Sequence, residues 1–267
     1  MCFYVRTTTP GEDILGVQRV SARLAAVVLA TAVGGGLGAV AMTPGAALAA
    51  PRTVSAAPVA AVVVTKAAAA SCATGKYQKQ VEGYLKQLGG FGTVKVDGKQ
   101  SAADCAAIKK FQSRYGIKPA AGLAGPTTNG VAKRLAATRT SSCKAKKSGL
   151  TFCVDLTHQT TFVMKNGKVY KKPTVIRSGM KGYRTPTGTY KINKRTKKEW
   201  SNPYKVWLPY WQRFVGGVGF HQTTTYLHDS WRGSHGCVNL LPSDAKGYYS
   251  IGKIGSTVKV YGRRPGT

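Results

Sequence analysis

The sequence predicts a multidomain protein in which a small all-α module of three helices precedes a mainly β domain. Between residues 72 and 138, apolar residues recur at helical spacing and glycines interrupt them at three points. From residue 150 to residue 264, apolar and polar residues alternate instead, and Asn166-Gly167 has the composition of a two-residue hairpin turn. A chain of 267 residues has room for two domains of this size.

The first 49 residues have the features of a secretory signal peptide. Arg6, Arg19 and Arg23 precede an uncharged apolar run, and Ala47-Leu48-Ala49 has the small-x-small form of a cleavage site. An uncleaved membrane anchor is the alternative, because the apolar run is nearly long enough to span a bilayer. Glycines and a proline within the run favour cleavage. We therefore expect a protein secreted to the cell wall or extracytoplasmic space, with only transient membrane contact through residues 1–49.

The composition indicates a partner with negative charge. The chain has 40 Lys and Arg against 9 Asp and Glu, a formal net charge of +31. Such a surface favours anionic polymers. The basic residues are scattered and no nucleic-acid-binding motif is present, so we expect no nucleic-acid partner. Electrostatic retention on an acidic wall polymer is the preferred interpretation. Residues 50–71, rich in Ala, Val and Pro, are expected to be an extended linker.

Three helices are expected between residues 72 and 138. The first carries Val81 and Leu85 and should end at Gly89-Gly90. Asp104 is the predicted N-cap of the second helix. The third helix is expected to follow Gly125-Pro126. A polar, basic linker over residues 139–149 then leads to the β domain.

The six cysteines fall into three groups, and four of them form two predicted disulfides. Cys72 precedes the first helix and Cys105 lies in the second, so a bridge between them would stabilise the small module. Cys143 and Cys153 lie at the two sides of the linker's end and are the second predicted pair. Cys2 lies in the leader, and Cys237 is expected to remain a free thiol.

Residues 220–241 hold three of the four histidines and end in the motif Ser234-His235-Gly236-Cys237-Val238-Asn239. A cysteine becomes a nucleophile when a nearby base or cation favours its thiolate. A glycine before it allows the sharp turn that directs backbone N–H groups at a developing oxyanion. This composition predicts a thiol nucleophile site centred on Cys237.

This stretch resembles the signature of the L,D-transpeptidase catalytic domain of the YkuD type. The segments VDLTHQTTFVM, TVIRSG and RTPTGTYKI resemble its opening strands, and residues 206–214 its aromatic segment beside the substrate groove. Upstream, YLKQLGGF, VDG, AAIKKFQSRYGI and GLAGPTT are similar to the peptidoglycan-binding domain that accompanies many wall enzymes, except that Ala121 stands where an aspartate is usual. The resemblance implies a peptidoglycan-binding domain at 72–138 and an L,D-transpeptidase domain at 150–264.

The resemblance also assigns roles to single residues. Cys237 is the expected nucleophile and His221 the expected general base, although fewer residues separate His221 from Ser234 than is usual in the family, and His228 remains an alternative. Gln222 replaces the small residue whose carbonyl often orients the base. The remaining implied residues are oxyanion and supporting groups followed by substrate-binding groups: Gly236, His235 and Ser234, then Asn239, Arg232, Trp231, Tyr210 and His228.

The implied reaction is acyl transfer through a thioester, from a tetrapeptide stem with release of D-Ala, giving 3-3 cross-links in peptidoglycan. Water as the acceptor would make the protein an L,D-carboxypeptidase. The implied partners are peptidoglycan stem peptides and glycan, and carbapenem-type inhibitors. No cofactor or metal is expected. A zinc peptidase using His221, His228, His235 and Cys237 is the less favoured alternative, because His-Gly-Cys is too short a spacing for two comfortable ligands.

Overall fold

The computed structural model describes residues 72–223, 227–229 and 231–267. The predicted signal peptide and the linker at 50–71 lie outside the described residues. Four α-helices and nine strands follow one another in the order α1 (Gln78–Leu88), α2 (Ala102–Arg114), α3 (Pro126–Ala137), β1 (Leu150–Asp155), β2 (Thr160–Lys165), β3 (Lys168–Arg177), β4 (Gly188–Lys191), β5 (Lys194–Ser201), β6 (Val206–Val215), β7 (Val218–Gln222), β8 (Val238–Leu240), α4 (Pro242–Ile251) and β9 (Thr257–Tyr261).

The three N-terminal helices begin and end at residues that the sequence marks clearly. Helix α1 stops at Gly89, whose φ of 64° is in the left-handed region. The predicted N-cap of α2 is wrong by three residues. Ser101 caps the helix, and Asp104 closes a capping box from the third helical position, because both side chains bond to the other residue's backbone N–H. Pro126 occupies the first turn of α3.

Two disulfide bonds stabilise the helical part and its connection to the sheet. A disulfide joins Cys72 to Cys105, with Cα atoms 5.5 Å apart, and another joins Cys143 to Cys153 at 5.8 Å. These are the two pairs that the sequence predicts. The segment before β1 is partly ordered as a 3₁₀ turn at Thr140–Cys143, which the second disulfide attaches to β1.

One hydrophobic cluster is shared between the helices and the β region. Phe111 and Leu135 of the helices belong to it together with Val175 of β3 and Leu227. At its edge, Arg114 of α2 forms a two-fold hydrogen bond with the Asp244 carboxylate of α4, at 2.8 and 3.1 Å. The helical part therefore packs directly on the β domain.

The nine strands form one sheet in the order β4-β9-β1-β2-β3-β8-β7-β6-β5. Neighbours are antiparallel except for two parallel pairs, β1 with β9 and β7 with β8. The rings of Tyr190 in β4 and Phe214 in β6 lie 5.8 Å apart although these strands are distant in the sheet order. The sheet therefore curls back on itself, and its concave face packs on α4 through Phe152, Phe220 and Tyr248.

The turn between β2 and β3 matches its sequence prediction. Asn166 and Gly167 have φ values of 51° and 77°, as a type I′ hairpin turn requires. Strand β3 runs without interruption through Pro173. Among the described residues, no helix combines the length and apolarity needed to cross a bilayer.

Candidate active site

The loop that carries Cys237 is held by hydrogen bonds centred on Ser234. The Ser234 hydroxyl donates to the Cys237 carbonyl at 2.6 Å and accepts from the Gly236 amide at 3.1 Å. The Ser234 amide donates to the carbonyl of Ser178 at 3.0 Å, and its carbonyl accepts from Met180 at 2.8 Å. Ser234 therefore fixes the shape of the loop and ties it to the end of β3.

Gly236 adopts a backbone conformation that other residues rarely adopt. Its φ is 111°, and a Cβ built on it would approach Val218 Cγ2 to 2.9 Å. Its amide donates to Ser234, so the prediction of this N–H as an oxyanion donor does not match the state seen here. Gly236 provides the sharp turn, and its N–H donates a hydrogen bond to the Ser234 hydroxyl.

The segment Tyr183–Thr185 lies directly beneath this loop. The Thr185 hydroxyl donates to the Gly236 carbonyl at 2.7 Å and accepts from the Gly179 amide at 3.0 Å. The rings of Tyr183 and His235 lie 3.8 Å apart. Thr185 belongs to the motif RTPTGTYKI, whose anchoring role was not predicted from the sequence. The contacts of Thr185 with Gly236 and of Tyr183 with His235 join residues about fifty positions apart, so no local sequence pattern reveals them.

The parallel pair β7–β8 places His221 on the same face of the sheet as Asn239. His221 is in register with Asn239, and Phe220 is in register with Val238. Phe220 and Val238 point into the concave core, so His221 and Asn239 point to the opposite face. Cys237 precedes Asn239 by two positions and shares its parity.

Trp211 of β6 contacts both functional side chains. It forms a small buried cluster with Leu208 and Cys237, and its ring centroid is 6.1 Å from that of His221. Trp211 was not among the residues singled out from the sequence. Its position places the cysteine and the histidine on one side of the sheet, each beside the same tryptophan.

The tautomer of His221 follows from its hydrogen bond. Nδ1 lies 2.8 Å from the backbone carbonyl of Gln222, and because a carbonyl only accepts, Nδ1 carries the proton. In the neutral ring Nε2 then has a free lone pair, and no hydrogen-bond partner for it is found within the described residues. The orienting group is a backbone carbonyl, which explains why Gln222 can replace a small residue. Burial lowers the pKa of His221 to about 4, so the ring is neutral at neutral pH.

His228 lies at a different place from the cysteine loop. Its Nε2 is 2.7 Å from the carbonyl of Tyr115, at the end of α2. Burial is the main reason that its pKa falls to about 4. Of the two histidines considered as the base, His221 is the one that shares a neighbour with Cys237, namely Trp211.

Cys237 is fully buried and is disulfide-bonded in this chain. The prediction of a free Cys237 thiol is therefore wrong for this state of the protein. The sulfur also lies 3.8 Å from the carbonyl of Gly217. Nucleophilic chemistry at this position starts from the reduced form.

The predicted substrate-binding residues divide into two groups. Arg232 and Trp231 lie near the loop surface: the Arg232 guanidinium is 4.4 Å from the Trp231 ring, and its Nε is 3.5 Å from the Asp229 carboxylate. Trp231 is 63% exposed. Tyr210 is directed elsewhere, because it packs against the concave core and lies 5.9 Å from the ring of Tyr249.

No group of three or more His, Cys, Asp or Glu side chains in the described part of the chain has the geometry of a metal site. His228 and Cys237, two of the four ligands of the zinc alternative, have different surroundings, since His228 lies against the end of α2. The arrangement instead offers a sulfur, an oriented imidazole and a tightly turned backbone on one face of the sheet. These are the parts required for acyl transfer through a thioester.

The chain is similar to known L,D-transpeptidases. The family model of the L,D-transpeptidase catalytic domain, YkuD, matches residues 150–260. The crystal structure of an L,D-transpeptidase (Yku) from Stackebrandtia nassauensis is 54% identical, with a TM-score of 0.71, and the match covers 74% of this chain and 96% of that chain. An L,D-transpeptidase from Xylanimonas cellulosilytica is 24% identical over 71% of this chain and 95% of that chain, with a TM-score of 0.44. One from Enterococcus faecium is 31% identical over 43% and 49%, with a TM-score of 0.36. Comparison with curated proteins gives no match.

Proposed function

Because the chain belongs to the L,D-transpeptidase family, and is an enzyme of that class, we propose that Cys237 is its nucleophile and His221 its general base. The observation that carries the assignment is the shared contact with Trp211, combined with a tautomer of His221 that leaves a lone pair on Nε2. Ser234, Gly236 and Thr185 position the nucleophile loop and are not reacting groups.

The proposed reaction has two halves with balanced proton transfers. Reduced Cys237 gives its proton to Nε2 of His221, and the thiolate attacks the carbonyl that joins the third residue of a tetrapeptide stem to its terminal D-Ala. The imidazolium returns the proton to the leaving amine, D-Ala departs, and a thioester remains. An amine on an acceptor stem then attacks the thioester and gives its proton to His221, which yields a 3-3 cross-link and restores the thiol.

The depressed pKa of His221 suits the first step. At neutral pH the buried ring is neutral, so it accepts a proton without first losing one. The hydrogen bond from Nδ1 to Gln222 partly opposes the effect of burial, because it stabilises the imidazolium that forms during the step. The same carbonyl therefore orients the ring and supports its charged form.

We propose further that residues 72–138 bind peptidoglycan and that the enzyme is secreted to the cell wall. The sequence motifs of the three helices support the first proposal, and the leader composition and the high positive charge support the second. The two described disulfides fit an oxidising compartment.

Carbapenem acylation tests the roles of the two histidines. The full chain is treated with a reductant that frees Cys237, and adduct formation is followed by intact-mass spectrometry and stopped-flow fluorescence. His221→Ala should slow acylation by at least ~100-fold, the contribution of a general base. His228→Ala is the matched control and should acylate at close to the parent rate, because its ring lies against Tyr115.

Cys237→Ser should give no thioester adduct. Near-normal acylation in His221→Ala with a collapse in His228→Ala would refute the choice of base. Incubation with defined muropeptides identifies the acceptor: a 3-3 dimer indicates an amine, and a tripeptide product alone indicates water and hence carboxypeptidase activity.

A further inference from the structure

A cavity of about 460 Å³ lies between helix α3 and the β domain, apart from the cluster that contains Cys237. Its helical wall includes Pro126, Thr127 and Arg134. Its opposite wall is formed by β-domain residues, among them Arg177, His228 and Arg264. Neither the nucleophile nor the general base proposed above lines this space.

The described residues that line the cavity carry several positive charges. Three arginines line it, Arg134, Arg177 and Arg264, and none of its described lining residues is an aspartate or glutamate. Within the described residues, the Arg134 guanidinium has no hydrogen bond or ion pair, and burial lowers its pKa to about 10. A half-buried cation without a counter-ion is costly, so an anion in the cavity would stabilise it.

The first turn of α3 adds to the positive potential at the cavity wall. This 12-residue helix begins at Pro126, its N-cap Gly125 provides no side-chain hydrogen bond, and its first turn contains no acidic residue. Pro126 and Thr127 line the cavity, so the positive end of the helix dipole lies at its wall. The helix terminus and the arginines, which come from separate parts of the fold, therefore favour the same ligand charge.

The ring of His228 indicates that the ligand carries a hydrogen-bond donor beside its negative charge. Its Nε2 donates to the Tyr115 carbonyl, so in the neutral ring Nδ1 is an acceptor, and the buried Nδ1 has no partner within the described residues. Arg134 and Arg177 both act to lower the pKa of His228, and Asp229 acts weakly in the opposite direction. A ligand with an N–H group close to its anionic group would satisfy Nδ1 and the Arg134 guanidinium together.

We infer that this cavity binds the free carboxylate and neighbouring amide N–H of a peptide, at a site separate from the catalytic cysteine. A peptide terminus carries both groups next to each other, whereas a phosphodiester polymer offers hydroxyl donors and no aliphatic side chains for the apolar wall. The cavity also has apolar wall residues, Val131 and Pro265, for aliphatic side chains, and its volume exceeds that of a single oxyanion. The inference rests on the proposed function in one respect: the peptide class we assign is the stem peptide of the wall polymer.

The cavity is linked to the nucleophile loop by one side chain. Arg264 donates to the carbonyl of Ser178 at 2.8 Å and to the carbonyl of Arg232. The Ser178 carbonyl also accepts the Ser234 amide. A peptide held against Arg264 therefore lies next to the backbone that supports the loop of Cys237.

Binding is measured by isothermal titration calorimetry on the full chain carrying Cys237→Ala, which prevents turnover. The probe is a disaccharide tetrapeptide, and the comparison probe has its carboxylates converted to amides. Arg134→Gln should weaken binding of the first probe at least ~10-fold, because a charge-assisted hydrogen bond is lost, and should leave binding of the amidated probe unchanged. Lys133→Gln is the matched control: it removes the same charge from an exposed position of α3 and should have no effect.

A second variant tests the inference independently, in case Arg134→Gln does not fold. Thr127→Glu places a carboxylate at the cavity wall, where the helix dipole favours it, and should compete with the probe without lowering the melting temperature. Thr127→Gln should bind like the parent. Unchanged binding in both Arg134→Gln and Thr127→Glu would overturn the inference, as would equal affinity for the amidated probe. Preferential binding of oligomeric glycerol phosphate would show a phosphate site and likewise overturn it.

The outcome can be separated from that of the proposed function. In the chain that retains Cys237, Arg134→Gln should be acylated by a carbapenem at the parent rate, since Arg134 belongs to neither the nucleophile nor the base. A parent protein that binds the carboxylate probe and fails to acylate would refute the catalytic assignment alone. Normal acylation without Arg134-dependent binding would refute the proposed peptide site in the cavity and leave the catalytic assignment intact.

Discussion

Acidification should destabilise the fold through the buried imidazole of His221, and a His221→Gln variant isolates that contribution. The pKa of His221 is about 4 in the folded protein against 6.5 for an ordinary histidine. Between these two values the unfolded chain binds a proton that the folded chain does not, so stability falls as the pH falls. Above 6.5 neither state is protonated, and the loss levels off below about 4.

The size of the effect follows from those two values. Linkage gives a loss of roughly 2 kcal/mol at about pH 5 and roughly 3 kcal/mol at about pH 4 from this one side chain. Urea unfolding followed by tryptophan fluorescence, repeated from about pH 7 to about pH 4, measures it. In His221→Gln the stability at neutral pH changes for other reasons, so the relevant quantity is the difference between the two pH dependences.

His228 provides an independent repeat of the experiment, because burial lowers its pKa to about 4 as well. His228→Gln should flatten the pH dependence by a similar amount. Parallel curves for the parent and His221→Gln would refute the reasoning, since they would show that the imidazole titrates alike in the folded and unfolded states.

Three further predictions concern stability. Gly236→Ala should lower the free energy of unfolding by roughly 1–3 kcal/mol and abolish carbapenem acylation, because φ is 111° and the new methyl group collides with the neighbouring strand; an unchanged urea midpoint would contradict this. Thr185→Val should cost roughly 1–3 kcal/mol in the same assay, because the Gly236 carbonyl and the Gly179 amide both lose a buried partner, and Thr185→Ser should restore most of it. Replacing Cys72 and Cys105 together by serine should cost about 3–4 kcal/mol, the effect of a bridge over 33 positions, and a much smaller loss would indicate residual structure in the unfolded chain.

The sequence predicts well those features that are determined locally. Gly89 ends α1 because few residues other than glycine adopt its positive φ, and Asn166-Gly167 forms its hairpin turn for the same reason. The pairs Cys72–Cys105 and Cys143–Cys153 could be proposed because each joins residues close to a predicted element boundary. The error at Asp104 is also local, because Ser101 and Asp104 both suit an N-cap and only the reciprocal hydrogen bonds decide between them.

The parts of the site that the sequence could not reveal depend on pairing between distant strands. Trp211 meets His221 and Cys237 only because β6, β7 and β8 are neighbours in the sheet. His228 lies against Tyr115 because the helices pack on the β domain, a contact between residues more than a hundred positions apart. The charged cavity has the same origin, since its arginines come from a helix, a strand and the C-terminal segment.

The parallel pairing of β7 with β8 also explains how a short gap between base and nucleophile can be tolerated. The separation of His221 from Cys237 is set by the backbone ladder between two adjacent strands and by the Ser234 turn that leads into β8. Loop-closure entropy changes slowly with loop length, so residues can be gained or lost in this connection at little thermodynamic cost. The proposed catalytic pair therefore tolerates length variation in the part of the connecting loop before Ser234, and that part can vary with the substrates that the enzyme admits.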